Sequence, residues 1–175
     1  MKNWLKISLI TIILASIIHL IIVICFPSIV LRIVHKKISE RAGGVNVVLH
    51  NLPTTAANNP IVNSSPDLLY SVCAFDLSNG PILFRAKVPD SYWSISGFDA
   101  ETNNFFSVNN EQSRSKYFEL VLVGPDGSLK VDGNVRMVKA PTTRGVVLFR
   151  TLVPKANKIE GLIRTQKTAI CTPLQ

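Results

Sequence analysis

From Ile7 to Phe26 the chain is an almost unbroken apolar run, rich in isoleucine, with Lys2 and Lys6 before it and Arg32, Lys36 and Lys37 after it. At the helical rise of about 1.5 Å per residue, twenty such residues extend about 30 Å, the thickness of a bilayer's hydrocarbon core. The run therefore predicts a membrane-spanning helix. Its polar content is limited to Ser8, Thr11, Ser16 and His19, and hydroxyls return their hydrogen bonds to a carbonyl one turn back. Insertion gains of roughly 0.3 to 0.6 kcal/mol per large apolar residue, summed over a dozen or more, exceed the cost of one neutral imidazole. His19 is read as a tolerated neutral residue; a proton path or helix contact is the other reading.

A cleaved signal peptide also begins with lysines and an apolar core. Its core is usually only about 7 to 15 residues long and is followed by a small-x-small cleavage site. Here Ile22 and Ile24 precede Cys25, which forms neither that site nor a lipoprotein cysteine. The segment is expected to be retained. Orientation is less direct: lysine and arginine are denser after the run than before it, which taken alone points the C-terminal part to the cytoplasm. That rule is dominated by short loops, and long following domains are translocated regardless of charge. Ser28 to Arg41 reads either as an interfacial helix, with Ile29, Val30, Ile33, Val34 and Ile38 toward lipid, or as a plain continuation of the membrane helix.

The expected organisation is an anchor over residues 1–27, a basic juxtamembrane helix over 28–44 and one β-rich domain over 45–175. The last holds about 130 residues, enough for a sizeable core. The net charge of +8 is spread along the strands instead of forming basic runs interleaved with aromatics, so nucleic acid is not an expected partner. Solvation beside anionic lipid is the better reading. With Cys25 in the anchor, Cys73 and Cys171 remain either as a disulfide in an oxidising compartment or as two unrelated buried thiols. No CxxC or HxxxH spacing accompanies them, so no metal is expected.

Gly43 and Gly44 end the helix, since glycine enters left-handed conformations freely. Strands are expected at Val45 to Leu49, Leu68 to Leu77, Ile82 to Val88, Tyr92 to Phe98, Phe105 to Val108, Tyr117 to Val123, Leu129 to Val131, Val135 to Val138 and Val146 to Val153. Proline-rich Leu52 to Pro66 reads as a surface loop. Turn chemistry stands at Ser78-Asn79-Gly80-Pro81, Pro89-Asp90-Ser91 and Pro125-Asp126-Gly127. Phe118, Leu120 and Leu122 share one face while Glu119 points away. Asn157 to Ala169 has helical spacing and is expected to pack on the sheet. The fold class is mainly β: a single N-terminal transmembrane helix, then an antiparallel β-sandwich or jelly-roll-like domain with a C-terminal helix.

At Asp67-Leu68-Leu69-Tyr70-Ser71, Asp76-Leu77, Gly80-Pro81, Val88-Pro89 with Tyr92, and Asp99 with Thr102-Asn103-Asn104-Phe105, the chain resembles the bacterial domain-of-unknown-function 1254 family. It is similar to a short, membrane-anchored branch, in which one hydrophobic helix precedes a β-rich domain outside the cytoplasmic membrane; the Cys73 and Cys171 positions also look like those of that branch. Larger members carry a second β domain, usually of family 1214, to which no residues here correspond. The resemblance implies fold and location, not a reaction.

No catalytic motif stands out. His35 and His50 have no acidic neighbour in a recognisable triad, and both read as structural or solvated. Asp76 and Asp99, with Glu101 two residues on, are the candidate acids of an envelope hydrolase or metal-dependent enzyme. The competing reading gives Asp99, Asn103 and Asn104 to turn architecture, because short polar side chains bond their own backbone. Tyr70, Tyr92, Trp93, Phe98, Phe105 and Phe106 are candidates for stacking on a ligand or for the core, with Trp93 and Ile95 facing inward. The leading expectation is a non-enzymatic, single-pass envelope protein without a cofactor. Its expected partners are the lipid bilayer and another envelope protein or polymer.

Overall fold

The computed structural model describes residues 2–51, 65–127, 135–154 and 159–174. A single helix, α1 (Lys2–Ala42), carries the apolar run and continues through Pro27 into the basic segment without interruption. Ser28 to Arg41 thus forms one unbroken helix with the apolar run. Over residues 3–26 every side chain is exposed, and 0% of the most apolar window is buried against the domain. Thr11 and Ser16 donate to the carbonyls of Ile7 and Ile12 at 3.0 and 2.9 Å, which satisfies their hydroxyls without a partner helix. Beyond Pro27 the helix acquires sides: Leu31 is buried and His35, Ile38 and Ala42 are half-buried, while Ile29, Ile33 and Val34 stay exposed.

Gly43 at φ 83° lets the chain turn, and the amide of Gly44 donates to the carbonyl of Ser39 at 2.8 Å. This six-to-one bond is the Schellman closure of a helix C-terminus. Asn46 is also left-handed, at φ 61°, so the chain is still turning where a strand was expected from Val45. Pairing begins only at β1 (Val48–His50).

Eight further strands follow: β2 (Leu68–Asp76), β3 (Ile82–Lys87), β4 (Trp93–Phe98), β5 (Asn104–Asn109), β6 (Tyr117–Val123), β7 (Arg136–Lys139), β8 (Arg144–Leu152) and β9 (Ile170–Pro173). They form two sheets, ordered β1-β2-β8-β4-β5 and β7-β6-β3-β9. All pairs are antiparallel except β6 with β7, which is parallel. A one-turn helix, α2 (Asn110–Ser113), is closed by a capping box between Asn109 and Gln112, and α3 (Ile159–Gln166) precedes β9. The strand expected at Leu129 to Val131 and most of the proline-rich loop lie outside the described residues.

The core fills the space between the sheets. In β3, Ile82, Phe84 and Ala86 are buried while Arg85 and Lys87 are exposed, the period-two signature of a strand with one covered face. Phe118, Leu120 and Leu122 of β6 join them from the same sheet. Trp93 and Phe149 from the first sheet meet Phe118 and Phe84 from the second, with ring centroids 5.3 to 6.3 Å apart. Tilted aromatic pairs at such separations stabilise beyond their buried area.

Candidate functional site

Where α1 leaves the apolar run it meets one end of the five-stranded sheet, and the contact is made of specific polar bonds on an apolar stripe. Leu31, His35, Ile38 and Ala42 recur at intervals of four, three and four residues, which puts them on one helix face. His35 Nε2 lies 2.9 Å from the carbonyl oxygen of Phe75, so Nε2 is the protonated donor, because a carbonyl only accepts. Asn46 then clasps the end of β2: its Oδ1 accepts from the Asp76 amide at 2.8 Å and its Nδ2 donates to the Asp76 carbonyl at 2.9 Å.

Asp76 organises the other side of this joint. Its Oδ1 accepts from the amide and hydroxyl of Ser78 at 2.9 and 2.6 Å, and its Oδ2 accepts from Arg144 Nε at 2.7 Å. Burial alone would raise its pKa, but the Ser78 hydrogen bonds and the Arg144 guanidinium outweigh that and hold the carboxyl below the usual range. Asp99, at the end of β4, is 4% exposed and accepts from the amides of Glu101 and Asn103 at 3.0 and 2.8 Å and from Asn103 Nδ2 at 3.0 Å. The Thr102 amide closes the turn on the Asp99 carbonyl at 3.1 Å, with Thr102 itself left-handed at φ 69°. The two acids therefore cap separate turns on either side of β8, whose Arg144 pairs Asp76 and whose Val146 pairs Phe98. Asp99 spends both oxygens on its own turn, whereas Asp76 spends one on Ser78 and the other on Arg144 across the strand pair. Acids committed in this way build loops, whereas acid–base hydrolysis requires two carboxyls held across a substrate.

The candidate aromatics separate in the same way. Trp93 is 3% exposed and belongs to the inter-sheet cluster. Phe105 and Phe106 lie edge-to-face beside Gly97, and Phe105 also meets Phe75. Tyr70 is buried, with its hydroxyl accepting from the Ser65 amide at 3.0 Å. Tyr92 stands exposed at 48%.

Cys73 in β2 and Cys171 in β9 come from opposite sheets and meet in the middle of the core, with sulfurs 2.7 Å apart. Burial first, then the contact with Cys171, pushes the Cys73 thiol up. Of the histidines, His50 bonds the hydroxyl of Ser71 at 2.9 Å. Its pKa is lowered by burial and, second, by the charge of Lys167. Among the described residues no three His, Cys, Asp or Glu side chains converge as a metal site.

His35, read from the sequence as structural or solvated, makes the joint with Asp76 and with Asn46 and Arg144, which no sequence signal singled out. The stripe from Leu31 to Ala42 was the available signal for the helix face. Nothing local marks Arg144, because its partner is 68 residues away.

The fold has relatives among solved structures. The VPA0106 protein from Vibrio parahaemolyticus superposes with a TM-score of 0.61 at 12% identity, over 80% of this chain and 34% of that one. A putative uncharacterized protein from Burkholderia cenocepacia gives 0.53 at 12% identity, over 79% and 37%. This chain thus spans about a third of the length of either, and the likeness is one of fold. No curated protein matches the sequence. The sequence pattern described as "Protein of unknown function (DUF1254)" matches residues 45–173, from the turn after α1 through β9, and the chain belongs to the DUF1254 family.

Proposed function

We propose that this protein is a single-pass membrane protein of the bacterial envelope, whose β domain is a non-enzymatic binding or interaction module on the outer face of the inner membrane. The observation that carries the reading is the division of α1. Its first 25 residues or so offer apolar side chains on every side and rest on nothing in the domain, while its last four turns are bonded to the sheet. A helix that is hydrophobic all round needs an apolar surrounding, and a bilayer supplies one of matching thickness. The domain follows this helix as one body held close to the lipid surface. Asp76 and Asp99, committed to turns, lend no support to an enzymatic reading.

Placement outside the cytoplasm suits the facing cysteines. There Cys73 and Cys171 pass two electrons and two protons to a thiol–disulfide oxidant, which is reduced to its dithiol as their own bond forms. The bond would tie the two sheets through the core. C-terminal reporter fusions test the placement: an active alkaline phosphatase with a dark green fluorescent protein is expected. A fluorescent fusion with a silent phosphatase would contradict it.

A further inference from the structure

Beside the joint lies an open cavity of about 660 Å³, lined by Leu31, Arg32, His35 and Lys36 of α1 and, from the sheet's end, by Ser78, Ala100 and Thr142 to Arg144. Its walls are unequal in charge. Three cations border it, and Asp76 engages the Nε of Arg144. The terminal guanidinium nitrogens of Arg144 and the whole of Arg32 have no acidic partner among the described residues. Lys36 has a loose one in Glu40, at 3.9 Å and largely exposed. The His35 Nε2 proton is spent on Phe75, the Ser78 hydroxyl on Asp76 and the Thr142 hydroxyl on the Arg144 carbonyl. What remains to receive a ligand is a triangle of cations, the guanidinium groups of Arg32 and Arg144 and the ammonium of Lys36, with the Thr143 hydroxyl beside them, in a cavity that the apolar Leu31 and Ala100 also line.

The height of this cavity above the membrane follows from the sequence. Between Lys6 and Arg32 there is no charged side chain, and those 25 residues extend about 37 Å as a helix. That length lies between the roughly 30 Å of hydrocarbon and the roughly 40 to 45 Å that includes headgroups. Arg32 therefore emerges in the headgroup layer, and the cavity opens where lipid phosphates lie.

We propose that this cavity is a binding site for the phosphate of an anionic phospholipid, which is held between Arg32, Lys36 and Arg144. Guanidinium forks match phosphate oxygens two at a time. The division of the triangle between helix and domain distinguishes the site from an ordinary basic juxtamembrane stretch. Arg144 is 112 residues from Arg32 in sequence and reaches the lipid only because α1 is docked, so the lipid clamps the domain to its own anchor. The proposal rests on the membrane-anchored reading above.

The test uses the full chain in nanodiscs of phosphatidylcholine with a minority of phosphatidylglycerol, with native mass spectrometry to count the lipids that leave with the protein. Retention of one phosphatidylglycerol in preference to phosphatidylcholine is expected. Each cation removed near an anionic surface weakens attraction about fivefold, so R32Q with R144Q should lower retention by about 25-fold. K37Q with R41Q removes two cations of the same segment that do not line the cavity, and should change it less than twofold. A100W fills the cavity with charge unaltered and should also abolish retention, with the circular dichroism of the domain preserved. Equal loss in the K37Q/R41Q variant, or undiminished retention in A100W, would overturn the site in favour of diffuse attraction. Displacement of the lipid by inorganic phosphate at comparable concentration would make it a free-phosphate site and overturn the lipid assignment. A chain that does not enter the nanodisc would instead refute the anchor on which the site depends.

Discussion

The Nε2 of His35, in the long N-terminal helix, lies 2.9 Å from the carbonyl oxygen of Phe75, a core residue of β2. One hydrogen bond thus joins the helix that carries the apolar run to the sheet of the β domain. A bond of this kind contributes about 1 kcal/mol net, enough to bias the joint but not to fold the domain. In a Cys25→Ser background with spin labels on Lys37 and Lys87, both exposed, His35→Ala is expected to broaden the distance distribution while the domain's melting temperature stays nearly constant. An unchanged distribution would show that the bond does not hold the helix in place.

Asp76 makes the joint sensitive to acid. Its folded pKa lies below the usual value, so the folded state gives up this proton more readily than the unfolded chain, and the contribution to stability is complete above about pH 4. As pH falls through the depressed folded value, that contribution disappears. Asp76→Asn is therefore expected to cost about 1 kcal/mol at pH 7 and progressively less below pH 4. Urea titration of the two proteins side by side should show their curves converging in acid; a constant gap would assign the cost to something other than the charge.

Gly145 opens β8 under the carbonyl of Phe98 and the ring of Phe75, where a Cβ would overlap both. Backbone cannot retreat as a flexible side chain does, so Gly145→Ala is expected to destabilise by about 3 kcal/mol, at the upper end of overpacking costs. Gly161 in α3 is the control: its Cβ would meet only Arg164 at 3.9 Å, and alanine there should be neutral or stabilise by up to about 1 kcal/mol. Thermal melts that rank the two variants in the opposite order would contradict the packing.

Cysteine counting tests the proposed disulfide. Protein taken from native membranes, denatured without reductant and alkylated, should carry one label, on Cys25, and three after reduction. The bond would close a separation of 98 residues, worth up to about 4 to 5 kcal/mol by the chain-entropy model. Three labels before reduction would leave the pair as thiols.

The long apolar helix and most strands were legible because their signals are local. The apolar run is a composition signal, β3 alternates buried Phe84 and Ala86 with exposed Arg85 and Lys87, and Gly80 stands at φ 122° in its predicted turn. What escaped was set by partners distant in sequence. β9 is four residues of mixed polarity ending in Pro173, and is a strand because β3 offers it an edge. In β6, Val121 and Val123 are buried as well as Leu120 and Leu122, so the pattern named a core face without excluding the other. Cys73 and Cys171 stood in the sequence either as a pair or as two unrelated thiols, and their meeting depends on which sheet each strand joins. The docking face of α1 was written at Leu31, His35, Ile38 and Ala42, but beside it Ile29, Ile33 and Val34 make a second apolar stripe. Only the tertiary contact distinguishes the two.

The account stands on α1 remaining part of the protein and in the bilayer. Its most direct test is the intact mass of the chain extracted from membranes with detergent after a carbonate wash that strips peripheral proteins. A mass that includes the segment from Ile7 to Phe26, at least the 19.3 kDa of this chain, is the predicted result. A shorter species that begins beyond Phe26, recovered in the wash instead of the membrane, would contradict it.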